Sequence, residues 1–135
     1  MRNKAAVSDY ILKAFSYFCP MSKNSEIKLS IGLDDEKVPQ KIEWLAADGG
    51  VDKPKEAKAF MLSIWDGAEN TALRIDLWTK KMMVDEMNDF FFQTMMTMAD
   101  TYGRATNNTN LVGEMKQFAQ DMKTKMETEM QKDQL

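Results

Sequence analysis

The sequence predicts an α+β domain: a three-stranded antiparallel sheet, one crossover helix, and two C-terminal helices packed on the sheet. Short segments with alternating apolar residues predict the strands. Stripes of apolar residues three and four positions apart predict the helices. The 135 residues, 44% hydrophobic and 29% charged, fit one globular domain with a modest core.

The first two strands are predicted by period-2 alternation and by the turn between them. Apolar residues alternate with polar ones at four positions, Ile27, Leu29, Ile31 and Leu33. The segment 34–40 then has turn chemistry, and Pro39 cannot donate to a β-ladder. A second strand is predicted over 41–47, ended by Asp48, Gly49 and Gly50.

The next elements are a crossover helix and a third strand. Asp52 is typical of a helix cap and Pro54 of a first-turn proline. Helical spacing continues through five residues, Ala57, Phe60, Met61, Ile64 and Trp65. Alternation at Leu73, Ile75 and Leu77 predicts a third strand ending at Thr79. Because a helix returns the chain, this strand is expected beside the first one, in sheet order 2-1-3.

Two C-terminal helices are predicted from about Val84 to Gly103 and from about Asn110. The first carries apolar residues on more than one side, so it is expected to lie between the sheet and another element. The second is expected to cover it with a stripe of four residues, Leu111, Met115, Phe118 and Met122. The charged end beyond Lys123 is expected to fray or protrude.

Residues 1–20 differ in character from the rest of the chain. Asp9 and Lys13 interrupt their apolar part, and the residues before Cys19 do not fit a lipoprotein cleavage site. We expect Met21 to be the natural start and 1–20 to be an extension. The alternative is an N-terminal helix over 8–18 docked on the single domain 21–135.

Composition narrows the classes of function. The net charge of -3 and the absence of a basic stripe disfavour nucleic acid as a partner. No apolar run reaches the ~18 to 20 residues of a membrane span. The single Cys19 cannot form an internal disulfide, which fits a reducing compartment.

Catalytic chemistry is poorly represented. The chain has no histidine and no glycine-rich phosphate loop, so we predict no enzyme, no catalytic residue, no cofactor and no metal. The acidic turn Asp34, Asp35 and Glu36 could hold a hard cation, but it is more typical of a solubilising turn. An enzyme would need a cleft with converging carboxylates of shifted pKa.

Methionine is abundant, at 13 residues, and has two interpretations. It either fills the core, or it forms a surface covered when a second subunit or client protein docks. The residues concerned are Met82, Met83, Met95, Met96 and Met98. Unpaired strand edges would offer a further docking surface. We also predict a homodimer as one partner of the chain.

A partner-binding surface is predicted at and just after the third strand. Its residues are Arg74, Asp76, Trp78, Lys80 and Lys81. A tryptophan flanked by charge is a common interface arrangement. Trp78 is equally compatible with a core position.

The segments KIEWLAADGGV, PKEAKAFMLSIWD and LRIDLWTKKMMVDEMNDFFFQTMMTMADTYGRAT resemble the gliding-motility protein GldC family of the Bacteroidetes, from Ser25 to about Met122. The resemblance implies a cytoplasmic, non-enzymatic accessory of the gliding machinery that acts through protein-protein interaction. It also implies the GldB lipoprotein or another gliding component as a partner, and no established catalytic residue or cofactor. The alternative is a chaperone-like holder of hydrophobic or export-bound clients.

Overall fold

The computed structural model describes residues 24–132, which form five strands followed by two helices. The strands are β1 (Lys28–Leu33), β2 (Pro39–Ala46), β3 (Val51–Ala57), β4 (Ala59–Asp66) and β5 (Thr71–Trp78), and the helices are α1 (Val84–Thr106) and α2 (Thr109–Lys132). The predicted α+β class is confirmed. The expectations for residues 1–20 and for a start at Met21 lie outside the described residues.

The strands form two sheets. One has the order β1-β2-β3, and the other is the antiparallel pair β4-β5. The predicted order 2-1-3 is therefore wrong. The strand predicted as third is β5, and it pairs with β4 instead of the first strand, because a strand and not a helix precedes it and a hairpin is the shortest connection.

Within the described residues the chain divides into two compact units. The first contains 24–29 and Trp44–Lys55, and the second contains Ser30–Glu43 and 56–132. In the first unit Val51 is buried, and Gly50 adopts a left-handed backbone with φ of 81° after a single 3-10 turn at Ala47–Gly49. The second unit holds β4, β5 and both helices, and with them every feature of the candidate surface.

The predicted crossover helix is wrong, because 51–66 forms β3 and β4. The same residues also carry a period-2 pattern, with Phe60, Leu62 and Ile64 alternating with Met61, Ser63 and Trp65. Both periods fit so short an apolar run, and pairing with β5 decides between them. Pro54 is tolerated because β3 is at the edge of its sheet.

The β1-β2 turn is organised by the carboxylate of Asp34. Its Oδ1 accepts the N–H groups of Glu36 at 3.0 Å and Val38 at 2.8 Å, and its Oδ2 accepts the side-chain amide of Gln40 at 2.8 Å. The N–H of Val38, followed by the amide of Gln40, holds the pKa of Asp34 below its ordinary value. Asp34 thus holds the turn together through its three hydrogen bonds. The same turn contains Lys37 with a positive φ of 62°.

Helices α1 and α2 form an antiparallel hairpin with contacts along its whole length. Four pairs mark the register: Gly103 with Val112, Asp100 with Lys116, Phe92 with Lys123, and Asn88 with Met130. Ala99 on α1 and Ala119 on α2 are fully buried. Small residues at these positions let the two helices approach closely.

The predicted contact stripe of α2 is displaced by one residue. Val112, Lys116, Ala119 and Lys123 lie toward α1, whereas Leu111 and Phe118 are exposed. One residue corresponds to a rotation of about 100° around the helix axis. The close approach selects the small Ala119 for the interface, so the neighbouring Phe118 is excluded from it.

The ends of the helices differ slightly from the prediction. α1 starts at Val84, as predicted, but continues past Gly103 to Thr106, where Asn107 caps it in a left-handed conformation. Position 103 therefore lies inside the helix. A glycine suits it because the side chain of Val112 occupies the space that a Cβ would need. α2 continues through its charged end to Lys132. The weak attachment predicted for that end stays a prediction.

Replacing Asp34 by Asn should lower stability at neutral pH and flatten its pH dependence. Because the folded-state pKa of Asp34 is depressed, its stabilisation is present above the unfolded value of 3.8 and is lost as the pH falls through the folded value. The difference between wild type and D34N in the free energy of unfolding, measured in urea, should therefore become smaller as the pH drops below about 4. D35N is the matched control, and a gap that is constant with pH would contradict the assignment.

Replacing Gly103 by Ala should destabilise the protein by about 1 kcal/mol. A Cβ there would lie 2.9 Å from Val112 Cγ2, and valine is stiff at χ1, so overpacking of about 1–3 kcal/mol exceeds the gain of about 1 kcal/mol in helix propensity. In a V112A background the same change should become neutral or stabilising. Equal effects of G103A in both backgrounds, measured by chemical denaturation, would refute the close approach.

Candidate interaction surface

Few large apolar side chains are buried in the described part of the chain. Its buried apolar residues are Ile42, Val51, Ala99 and Ala119, and three of these four are small or medium in size. Many larger residues are exposed in the second unit, on the β4-β5 hairpin and on the helical hairpin. Apolar patches of this kind mark interaction sites in soluble proteins.

The β4-β5 hairpin has two unlike faces. Its register places Phe60 opposite Leu77, Leu62 opposite Ile75, and Ile64 opposite Leu73. Since side chains alternate along a strand, these six residues share one face, which we call the aliphatic face. The opposite face, which we call the tryptophan face, carries Met61, Trp65, Arg74, Asp76 and Trp78.

The tryptophan face brings together three of the five predicted partner-binding residues. Arg74 Nη2 lies 3.0 Å from Asp76 Oδ2, and Trp78 is 58% exposed, so it is not a core residue. These three line a cleft of about 330 Å³ that Met87, Phe90 and Phe91 of α1 also line. The cleft combines an apolar floor with one neutral ion pair, an arrangement that suits a protein segment better than a charged ligand.

The other two predicted residues are engaged elsewhere. Lys80 Nζ lies 3.4 Å from Asp34 Oδ2, and Lys81 Nζ lies 3.1 Å from Glu56 Oε1. Both pairs are exposed, where an ion pair contributes less than about 1 kcal/mol. Lys80 and Lys81 come after the end of the strand, so the alternation that groups Arg74, Asp76 and Trp78 no longer applies to them.

Glu86 connects the β4-β5 hairpin to the start of α1. Its carboxylate accepts from Lys58 Nζ, and its Oε2 accepts the backbone N–H of Met83 at 3.0 Å. The hydrogen bond from Lys58, and then the one from Met83, lowers the pKa of Glu86 below its ordinary value. The acidic start of α1 thus has a local structural role, as its position at a helix N-terminus also favours.

The second exposed surface lies on the helical hairpin, and we call it the methionine groove. Four residues line a recess of about 210 Å³, namely Met95, Met98, Met115 and Phe118. Met98 and Met115 continue into a neighbouring opening of about 480 Å³ toward Tyr102 and Ala105. Met98 is 56% exposed and Phe118 is 61% exposed. The groove is therefore apolar and open to solvent.

The sequence pattern identifies some of these methionines but misplaces the surface. Met83 and Met98 are exposed, whereas Met82, Met95 and Met96 are half-buried. Phe118 and Met115 belong to the stripe predicted to contact α1. The signal that could have located the groove is the competing stripe with Ala119, because small residues at helical spacing favour a close contact.

Within 24–132 no three His, Cys, Asp or Glu side chains lie close enough to hold a metal ion. No helix of that part of the chain is both long and apolar enough to cross a membrane. What the two surfaces can do chemically is to bury apolar area against another polypeptide.

The comparison with known families covers the part of the chain that carries these surfaces. The family model of the gliding motility-associated GldC-like proteins matches residues 39–128. The chain belongs to the GldC-like family. This confirms the resemblance found in the sequence, and the region matched to the GldC-like model contains the β4-β5 hairpin, the cleft and the methionine groove. No curated protein and no solved structure gives a significant match.

Replacing Phe118 by Lys should change the free energy of unfolding by less than about 0.5 kcal/mol while reducing the binding of a hydrophobic dye. The side chain is exposed, so little packing is lost. The matched control is the adjacent A119L, which should cost about 1–3 kcal/mol because Ala119 is fully buried. Denaturation and dye titration of both variants check this, and a larger cost for F118K than for A119L would show that α2 is rotated differently.

Proposed function

We propose that the protein is a non-enzymatic accessory of the bacterial gliding machinery that acts in the cytoplasm by binding another protein component through the methionine groove. Family membership supports the link to gliding motility. The observation that carries the binding role is the open apolar groove of Met95, Met98, Met115 and Phe118.

The chemistry of the groove favours a helical segment as its occupant. It lies between two antiparallel helices, a setting in which an amphipathic helix lays its apolar side into the groove. Unbranched methionine side chains adapt to the shape of the segment. The ion pair of Asp100 with Lys116 lies at the same level of the helical hairpin and gives the surroundings a polar character.

The resemblance to GldC names the GldB lipoprotein as the first partner to consider. A cytoplasmic accessory would meet a lipoprotein before its export, and an exposed apolar groove is suited to holding an unfolded or partly folded segment at that stage. Other gliding components that expose an apolar helical segment are candidates on the same argument.

Support for a non-enzymatic role comes from the sequence and from the carboxylates. The chain has no histidine, the most common general acid or base. The two carboxylates with a lowered pKa, Asp34 and Glu86, accept hydrogen bonds that serve the β1-β2 turn and the start of α1. Their shifts have local structural causes, and neither lines the clefts of the second unit.

The second candidate is a chaperone-like holder of hydrophobic or export-bound clients. The methionine lining of the groove favours it, since such surfaces repack around different sequences. The two functions differ in breadth. A dedicated accessory binds one gliding component, whereas a holder binds many apolar segments with similar affinity and protects them from aggregation.

The double variant M98K/F118K should abolish gliding when it replaces the wild-type protein in a gliding host, because two charges in the groove oppose burial of an apolar segment. Colony spreading and single-cell motility provide the measurement, with the amount of protein in the cell determined in parallel. The matched control is Q93K/Q120K, which adds the same charge at exposed positions on other sides of the same helices.

Normal gliding with M98K/F118K at wild-type abundance would refute a role of the groove in gliding. Equal loss with Q93K/Q120K would attribute the effect to charge alone. Loss of many unrelated clients by M98K/F118K, with unchanged gliding, would favour the chaperone-like alternative.

A further inference from the structure

The outer edge of β5 is a surface that the proposed function does not use. Among the described residues, β5 pairs with β4 alone. Its residues are exposed from Thr71 to Asp76. An unpaired edge presents N–H and C=O groups that pair readily with another strand.

The hydrogen-bond pattern shows which residues of β5 direct their backbone N–H and C=O groups away from β4. The N–H of Thr79 donates to the carbonyl of Lys58 at 2.8 Å. Since hydrogen-bonded and non-hydrogen-bonded pairs alternate in an antiparallel ladder, Leu73, Ile75 and Leu77 turn their backbone groups toward β4. The even-numbered residues, Ala72, Arg74, Asp76 and Trp78, turn theirs toward the free edge.

Charge selects one register for a second copy of the same edge. A two-fold axis through Ile75 places Arg74 opposite Asp76 of the other copy, and does so twice. An axis through Arg74 or Asp76 would instead oppose two like charges, which is unfavourable. Within each chain Arg74 Nη2 lies 3.0 Å from Asp76 Oδ2. Two copies would therefore bring two positive and two negative charges together around the axis, with each charge beside charges of the opposite sign.

The same axis also pairs the other side chains of the two strands with partners of compatible size and polarity. Ala72 lies opposite Trp78, a small residue against a large one, and Leu73 lies opposite Leu77. The outward-facing Arg74 and Asp76 meet as a hydrogen-bonded pair, while Ile75 meets its own counterpart as a non-hydrogen-bonded pair. The aliphatic faces of the two hairpins join into one apolar layer over four strands.

We infer that the protein forms a homodimer by antiparallel pairing of β5 with β5 of a second copy, with Ile75 on the two-fold axis, in the strand order β4-β5-β5-β4. The partner is a second copy of this chain, recognised by charge complementarity and by continuation of the ladder. The inference does not depend on the proposed function, which uses the helical hairpin.

The test is cysteine cross-linking of I75C in a C19S background, which removes the natural cysteine. At a non-hydrogen-bonded antiparallel pair the Cα atoms are about 4.5 Å apart, within the range of a disulfide. Mild oxidation of I75C at micromolar concentration should give a covalent dimer nearly quantitatively, seen on a denaturing gel without reductant.

L73C is the matched control. Leu73 is on the same face of the same strand and is 54% exposed, against 52% for Ile75. In the dimer it lies opposite Leu77, so two copies of position 73 are four residues apart along the ladder, about 13 Å. On the same gel L73C should run mainly as a monomer, because its cysteines are too far apart to form a disulfide. A mixture of L73C and L77C chains should cross-link.

Charge reversal gives a second, cysteine-free measurement. R74D and D76R should each weaken the dimer about tenfold in sedimentation equilibrium, because both Arg74-Asp76 pairs become like-charged, and the double variant R74D/D76R should restore it. K125E on α2 is the control and should have no effect.

Failure of I75C to cross-link, or equal cross-linking of I75C and L73C, would overturn the inference. So would a protein that sediments as a monomer at all concentrations. Any of these three results would leave the proposed function standing, since gliding by the M98K/F118K variant tests a different surface.

Discussion

The close contact between α1 and α2 determines what the rest of this molecule exposes. Ala99, Ala119 and Gly103 let the two helix axes approach, and that approach fixes the rotation of each helix. Once Ala119 faces inward, Phe118 must face outward, and Met98 is exposed in the same way. The open groove is therefore a consequence of the tight contact between the two helices and not of a poorly formed core.

The β4-β5 hairpin obeys an equivalent logic with a period of two. Residues of even number on β5 carry both the polar ion pair and the outward backbone groups, while residues of odd number form the aliphatic face. One strand thus presents a charged edge and an apolar face at once. The ion pair of Glu86 with Lys58, the residue just before β4, links this hairpin to the start of α1. The two surfaces belong to one unit and differ in chemistry.

Sequence patterns predicted the elements with strong, unambiguous periods. β1, β2, β5 and the starts of both helices lie close to where strand alternation and helical spacing place them. The patterns failed where two periods coexist: residues 57–65 carry a helical stripe and a strand alternation together, and only pairing with β5 decides for the strand. That error changed the sheet order, because a supposed crossover helix implies a different neighbour for the next strand.

The candidate sites divide in the same way. Arg74, Asp76 and Trp78 lie on one side of β5 because strand alternation places them there, whereas Lys80 and Lys81 lie beyond the strand and form separate ion pairs. Their role in partner binding stays a prediction. The methionine groove was not located from the sequence, because the predicted contact stripe of α2 is displaced by one residue from the observed one. Large apolar residues look like core residues in a sequence, and only the requirement of close helix contact shows that alanine takes that position.

We propose that another protein covers the groove at Phe118 during gliding. Site-specific photo-cross-linking in living gliding cells tests this most directly, with a photoreactive amino acid at position 118 and, for comparison, at position 120 on the other side of α2. We expect one dominant adduct with a gliding component from position 118 and little from position 120. The same faint, heterogeneous adducts from both positions would contradict it.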